Sequence, residues 1–394
     1  MEKITATACL LLIISFFLVI FPEVNVNATT NTLVVPLDYS NIQDAINNAA
    51  DGDIIKVKEG VYYGKIEINK ELTIIGENKY TTIIDGNEQG PVILITKNKV
   101  TVKDLTIRNG MDSFFKYYSY AHAGIHLLHV NHCEITNNIL DNNGFGIWLF
   151  GSSDNKITSN KLVNNRESIL VQGESNNNVI SNNKISNSNM GIKIDKYSDH
   201  NTIEDNKIQT STHQSSDRSD TGILLRRSSE NIVVDNTIKN SVYGVWIDGA
   251  SNNIVKQNVI ENIADSGITI TRYVNYDPNT GFTLRITSNN NEIYHNVFVN
   301  SFQVTISSEQ NTVWDNGVQG NHWSNYNGTD ADGDGIGDTP YIINSNNQDN
   351  HPIVEAVVIP EFPSLELLVV LIALSSVFAL FYQKRLTYNK RKRV

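Results

Sequence analysis

Between residues ~92 and ~320 the apolar and polar positions recur in a unit of roughly 22 residues. The repeat aligns on a glycine: Gly124-Ile125-His126-Leu127, Gly146-Ile147-Trp148-Leu149, Gly191-Ile192-Lys193-Ile194, Gly222-Ile223-Leu224-Leu225, Gly244-Val245-Trp246-Ile247 and Gly267-Ile268-Thr269-Ile270. Ser168-Ile169-Leu170-Val171 fills the slot where glycine is missing. The first and third residues after the glycine are always Ile, Leu or Val, while the second and fourth vary. This period of two predicts a strand with one face in a core and the other turned outward. A polar turn, a second short strand and an asparagine follow each time: Asn138, Asn160, Asn183, Asn206, Asn236, Asn258, Asn296 and Asn316, separated by 22, 23, 23, 30, 22, 38 and 20 residues.

Such a period is too long for one hairpin and too short for a βαβ unit, but it suits one coil of three short strands stacked on its neighbours. The fold class predicted is all-β, a right-handed parallel β-helix. The asparagines are expected at one corner of every coil, hydrogen-bonding along the axis and accepting the left-handed backbone of a tight turn. Irregular spacings predict insertions at Met111–His122, near Ser211–Asp220 and near Arg272–Thr287, leaving the coil as loops. At the N-terminal end, Ser40-Asn41-Ile42-Gln43 reads as a capping box with Ser40 as N-cap. The stripe Ile42, Ala45, Ile46 and Ala49 then gives an amphipathic helix over the first coil, before strands at Ile54–Val57, Ile66–Ile68, Leu72–Ile75 and Thr82–Ile84.

Both ends depart from this pattern. Lys3, the apolar run Ala8–Phe21 and Val26-Asn27-Ala28 read as a secretory signal over residues 1–28. Leu367–Tyr382 is a second apolar run, followed by six cations from Lys384 to Arg393, so a span at 364–383 and a cytoplasmic tail at 384–394 are expected, with the large domain outside. Between them the chain divides into first coils with their cap (29–110), repeat core (111–325), a closure (326–354) and a linker (355–363). Removing both ends takes seven of 31 cations and two of 42 acids, so the exported domain is more acidic than the −11 of the whole chain, which disfavours nucleic acid as a partner. Cys133 is then the one cysteine left, so stability rests on packing and not on an internal disulfide, and its place two residues before Ile135 marks it as core.

Asn41–Gly60, with Ile74-Ile75-Gly76 and Ile83-Ile84-Asp85-Gly86, resembles the opening of pectin-lyase-like β-helix proteins. The later Asn-x-Ile coils are similar to the NosD-type, carbohydrate-binding and sugar-hydrolase (CASH) repeats of archaeal surface proteins. The resemblance covers residues ~35–325 and implies the fold, with copper handling as one named role of NosD relatives. Two methionines outside the leader (Met111 and Met190), one cysteine and no paired histidines are poor in the soft ligands that copper wants. Pro360-Glu361-Phe362-Pro363 before the span resembles a PEF-CTERM sorting signal, which implies processing and lipid attachment as an alternative to a permanent anchor.

Candidate chemistry lies on the outward positions. The second position of the tetrapeptide reads His126, Trp148, Leu170, Lys193, Leu224, Trp246 and Thr269; the fourth reads Leu128, Phe150, Gln172, Asp195, Arg226, Asp248 and Thr271. Coils stack about 4.8 Å apart, so Arg226 is expected between Asp195 and Asp248, beside exposed Trp148 and Trp246. Three readings follow. The first is a cross-coil salt-bridge ladder. The second is a polysaccharide-binding face using Trp148, Lys193, Trp246 and Gln172. The third is a glycoside hydrolase or a lyase for uronate-containing glycans, with Asp195, Arg226 and Asp248 as acid–base groups. His200, His213 and His295 read as turn residues.

A separate signal is Asp330-Ala331-Asp332-Gly333-Asp334-Gly335-Ile336-Gly337-Asp338, with carboxylates at relative positions one, three, five and nine and glycine at six. Hard cations want several oxygens around a sharp turn, so Asp330, Asp332, Asp334, the Ile336 carbonyl and Asp338 are expected ligands of a structural Ca2+. The pattern resembles thrombospondin type 3 and dockerin-like loops, but position twelve is Tyr341 and not Glu. Trp323 and Tyr326 are expected to cover the last coil. The sequence thus predicts an exported, membrane-anchored surface protein that binds polysaccharide or other envelope components, with catalysis as the alternative.

Overall fold

The computed structural model describes residues 30–110, 122–210, 220–299, 303–307 and 311–355. The expected signal sequence, C-terminal span and tail, most of the two insertions expected after Met111 and Ser211, and His213 lie outside the described residues. Among the described residues, no helix is long and apolar enough to cross a membrane.

Three parallel sheets of 12, 10 and 11 strands run the length of a right-handed β-helix. Each coil adds one short strand to each sheet. The tetrapeptides build the ten-stranded sheet, in strands such as Glu167–Gln172, Met190–Asp195 and Tyr243–Asp248. They stack in register, with Ile147, Ile169, Ile192, Ile223, Val245 and Ile268 forming one inward row. These residues, and the third-position row from Leu127 to Ile270, are 0% exposed in one continuous core. The conserved spacing of glycine has a steric cause. A Cβ on Gly146 would sit 2.6 Å from the Ser168 carbonyl of the next coil, and one on Gly222 would sit 2.8 Å from that of Gly244.

The asparagine ladder forms as expected through seven of its eight positions. Asn183 shows the logic: its Nδ2 donates to the Ile157 carbonyl (2.9 Å) and to Asn206 Oδ1 (3.0 Å), while its Oδ1 accepts from the Asn160 main-chain N (3.0 Å). One amide therefore satisfies a buried backbone donor and a buried backbone acceptor at a corner that is 0% exposed. The left-handed conformation belongs to the residue before each ladder position, such as Asn137 (φ 55), Asn182 (φ 56) and Gln257 (φ 58), and not to the ladder asparagine.

The eighth position needs correcting. Asn296 passes its main-chain N–H to Asn321 Oδ1 (3.0 Å), so Asn321 ends the row. Asn316 is exposed in a longer corner, where its Oδ1 accepts from Val318 N (2.9 Å) and Gln319 N (2.8 Å). A second buried ladder, five residues upstream of the first, runs Asn155, Asn178, Asn201, Asn231, Asn253 and Asn291. Cys133 stands at the head of that row, its N–H donating to Asn155 Oδ1 (2.8 Å) and its side chain in the core.

The first coil is covered by the helix Ile42–Asn48, which buries Ile42, Ala45 and Ile46. Its N-cap is Asn41 and not Ser40, with Oδ1 accepting from Asp44 N (2.8 Å). Gln43 instead closes the exposed strand edge, exchanging bonds with Glu67 O (3.2 Å) and Glu67 N (2.8 Å), which blunts an edge open to pairing. At the other end Trp323 stacks between Phe298 (4.6 Å) and Tyr341 (4.5 Å), as the closure required. The carboxylate of Asp349 terminates the ladder, accepting from Asn321 N (2.7 Å) and Trp323 Nε1 (2.8 Å). The insertion near Arg272–Thr287 leaves the coil as an antiparallel hairpin, Tyr273–Tyr276 with Thr283–Ile286.

Asn183→Ala should remove about 2–4 kcal/mol of stability, because it orphans groups in both adjoining coils. Asn316→Ala should change stability by less than about 0.5 kcal/mol. Chemical denaturation of the two variants checks the ladder assignment, and equal losses would refute it.

Candidate functional site

The outward face of the ten-stranded sheet carries the residues singled out by sequence, but most of them do not meet water. Trp148 is 2% exposed, Trp246 3%, Leu170 3% and Leu224 1%. They form two small apolar clusters outside the main core: Ala123, Phe145, Trp148 and Leu170 in one, Met190, Leu224 and Trp246 in the other. Alternation specified the face correctly, whereas the expected exposure of both tryptophans is corrected. Trp148 lies flat on the ring of His126 (4.3 Å, 3° between planes), and Trp246 donates from Nε1 to Thr271 Oγ1 (2.7 Å). Gln172 is buried too.

Between the two clusters sits a buried ion pair. Lys193 Nζ lies 3.8 Å from Glu167 Oε2, both with little side-chain exposure. Glu167 belongs to the register row of Phe145 and Met190, a column that sequence reasoning did not inspect.

The acid–base–acid ladder resolves into two separate pairs. Arg226 is registered with both Asp195 and Asp248, but its Nε bonds only Asp248 Oδ2 (3.1 Å). Asp248 Oδ1 accepts from Thr271 Oγ1 (2.9 Å). Asp195 is held instead by Arg227, through Nη2 (2.6 Å) and Nε (3.2 Å) to Oδ1, with Lys196 N on the same oxygen (2.7 Å). Arg227 was missed because it lies past the strand end. Its left-handed backbone (φ 50) sits at the corner, and its guanidinium lies 4.6 Å from the Tyr273 ring centre, on the inserted hairpin. Two adjacent arginines thus serve two acids one coil either side. Charge-assisted bonds of this kind tie together the ends of three neighbouring strands and the hairpin base.

The other sequence candidates are placed as follows. His200 Nε2 lies 2.6 Å from Glu230 on an exposed turn, and His295 packs edge-on to Tyr294. In the acidic loop, ligand oxygens of Asp330, Asp332 and Asp334 lie within 4.8 Å of one another. Gly333 (φ 77) and Gly335 (φ 86) supply the sharp turn, and Asp330 Oδ1 accepts from Gly333 N (2.8 Å) and Asp334 N (3.1 Å). Asp338 stands apart from the three, its Oδ2 accepting from Ala331 N (2.9 Å) and Thr329 Oγ1 (3.1 Å). Ile336 N donates to Asp334 Oδ1 (2.8 Å).

The family model described as "Periplasmic copper-binding protein (NosD)" matches residues 46–217 and 212–328. The chain belongs to the NosD family. A curated relative of this NosD chain is a cell surface glycoprotein of Methanothermus fervidus, 31% identical over 376 residues and 82% of the chain. The chain spans 57% of that relative's length. Among solved structures, an alginate lyase from Paenibacillus sp. str. FPU-7 is similar over 71% of this chain and 99% of its own (17% identity, TM-score 0.53). A family 28 exopolygalacturonase of Yersinia enterocolitica is similar over 75% of this chain and 70% of its own (11% identity, TM-score 0.55). At such identities the likeness shows the parallel β-helix and nothing of the chemistry.

Among the described residues, the donor set does not fit the copper of the family description. Cys133 Sγ is turned into the core, 3.5 Å from the Lys97 carbonyl, and Met190 is packed against Leu224 and Trp246. Among the described residues, the one cluster of three or more His, Cys, Asp or Glu ligand groups is the trio of aspartates, a hard-oxygen set.

His126 generates a pH prediction. Its Nε2 is buried without a partner, and burial, helped by the nearby His129, lowers its pKa to about 4. The ring is neutral in the folded state, while the unfolded ring protonates near 6.5. Stability is therefore unaffected above that value and is lost as pH falls from 6.5 to about 4, by up to roughly 3 kcal/mol. Replacing His126 with Phe should flatten the dependence in that window. Urea melts of both proteins across it are the check, and parallel curves would exclude His126 as its source.

Proposed function

We propose that this NosD chain is a non-catalytic surface protein whose exported β-helix binds polysaccharide or other envelope glycans outside the cell. The observation that carries the proposal is the engagement of its two acids: Asp195 is bound by Arg227 and Asp248 by Arg226 and Thr271. General acid–base hydrolysis needs one carboxyl group free to give a proton and another free to take one or to attack. A lyase base at Arg226 would need a nitrogen free to take a proton, and its Nε donates to Asp248 Oδ2 (3.1 Å). The name of the Methanothermus fervidus relative, a cell surface glycoprotein, supports the location. The secretory leader and the basic-tailed apolar run at 364–383 support export and tethering, whether by a span or by sorting to a lipid.

Incubation of the purified protein with alginate, polygalacturonate and neutral glucans should yield neither unsaturated products nor new reducing ends. Native gels cast with the same polymers should show retardation by at least one of them. Product formation abolished by Asp248→Asn would replace this reading with the enzymatic one.

The loop Asp330–Asp338 is proposed to hold a structural Ca2+. The grouping of three aspartate oxygens within 4.8 Å around a glycine turn supports this, since it offers a hard cation several oxygens at once. Bound there, the ion would pin the closure onto the last coil, where Ile336 and Ile353 form a bridge. Chelation should lower the melting temperature by a few degrees, and Asp332→Asn should remove the difference between chelated and calcium-loaded protein. Identical melting of wild type in both conditions counts against the ion.

A further inference from the structure

At the N-terminal end of the helix each of the three sheets ends in an edge strand, and two of these edges are closed. On Thr32–Val35 the outward main chain of Val34 is taken up by Asp38, whose Oδ2 accepts from Val34 N (2.7 Å) and whose N donates to the Val34 carbonyl (2.7 Å). On Ile66–Ile68 the side chain of Gln43 does the same for Glu67. The third edge, Gly60–Tyr63 of the eleven-stranded sheet, has no such plug among the described residues.

Gly60 and Gly64 donate to the Thr81 and Asp85 carbonyls of the next coil (2.9 and 3.0 Å). Main-chain groups alternate sides along a parallel ladder, so Val61 and Tyr63 turn theirs towards the open end. Their side chains are open as well, Val61 at 42% and Tyr63 at 74% exposure. A groove of about 280 Å³ runs beside the strand, lined also by Ser40, Asn41 and Gln43. An unplugged edge is a template for a further strand.

We propose that this edge pairs with the same edge of a second copy of the chain, antiparallel, about a two-fold axis at Tyr62. The segment Glu59-Gly60-Val61-Tyr62-Tyr63-Gly64-Lys65 is self-complementary in that register. Val61 falls opposite Tyr63 of the second copy, and the two exchange both main-chain hydrogen bonds; the two-fold axis repeats the rung. Each rung sets a β-branched side chain against an aromatic one, a favourable cross-strand pair. Beyond the rungs glycine meets glycine, where the chain bends (Gly60 φ 151, Gly64 φ 106). At both flanks the exposed Glu59 then meets the exposed Lys65 of the other copy. This match of charge needs a strand of the same sequence running the other way, which selects a second copy over a foreign peptide. The pairing joins two eleven-stranded sheets end to end and is independent of the glycan reading.

The test is the oligomeric state of the full chain in mild detergent, by sedimentation across a range of concentrations, with hydrogen exchange read at Val61 and Tyr63. A concentration-dependent dimer should form, and exchange of both amides should slow as it does. Tyr63→Pro removes an outward N–H and no bond of the internal ladder, so it should abolish the dimer and leave the melting temperature unchanged. Glu59→Lys and Lys65→Glu, each alone, should weaken dimerisation roughly tenfold by setting like charges opposite one another at both flanks. The double variant Glu59→Lys, Lys65→Glu should restore it, because unlike charges face each other again.

A dimer that survives Tyr63→Pro is held elsewhere and overturns the proposal. Failure of the double charge variant to recover what the single variants lose overturns the antiparallel register. A monomer at every concentration overturns the proposal outright. Slow exchange at Val61 and Tyr63 in that monomer would mean that another part of the chain covers the edge, and fast exchange that the edge is left to a foreign strand.

Discussion

The hydrogen bond from one ladder asparagine to the next is the interaction on which the stack depends. A parallel β-helix turns its chain through buried corners, and each corner strands a backbone N–H and a carbonyl where no strand partner exists. Hydration is excluded there, so an unmade bond would cost the full desolvation of the group. The amide of asparagine carries a donor and an acceptor at the reach of one peptide unit, and it continues the backbone ladder through the corner. This explains why Asn160, Asn183, Asn206 and Asn258 are no more than 1% exposed, although asparagine is normally a surface residue. It also explains how the row ends: it stops at the Asp349 carboxylate, which accepts from Asn321 and Trp323 and has no side-chain N–H that would need an acceptor beyond it.

Once the corners are fixed, each sheet is fixed in register, and the two faces acquire separate fates. Inward rows are aliphatic because the coil interior is narrow and dry. The outward face of the ten-stranded sheet is also largely shielded from water, with Trp148, Leu170, Leu224 and Trp246 at most 3% exposed. The charges left on that face are organised in pairs, and the pairing follows the geometry of the coil end and not strand position alone. Arg227, beyond the strand, swings over Asp195 and beneath the inserted hairpin at Tyr273. A face built in this way is stiff, and its acids are partners for arginine before they are reagents.

The sequence made the architecture legible because a parallel stack converts spatial periodicity into sequence periodicity. Gly146, Ile147 and Leu149 need only local context to be assigned, since every coil repeats the same environment. Two kinds of information stayed hidden. Period-two alternation says which side of a sheet a residue faces, but not whether that side is covered, so it turns Trp148 and Trp246 outward without showing that both are buried. Counting along a strand likewise cannot see a left-handed corner, and so Arg226 was credited with the contact that Arg227 makes. Asn316 was assigned to the ladder by type and rough spacing, although an enlarged corner moves the position to Asn321. The second ladder was visible throughout as asparagine five residues upstream of each first-ladder position. Cys133 occupies that slot at the head of the row, which hid the regularity at its start.

The same conversion of axis into sequence bears on what the molecule can recognise. Residues at one repeat position form a line along the helix, so any ligand read by such a line must itself be extended and regular. Opposed unlike charges, as at Arg108 and Asp85, neutralise each other within the sheet and leave little field outside it. Lys161, Lys184 and Lys207 share one outward position on three successive coils. Such a line keeps one spacing from coil to coil. The asparagine corners hold its spacing constant, so the scaffold that satisfies the buried backbone also sets the pitch at which the surface presents charge.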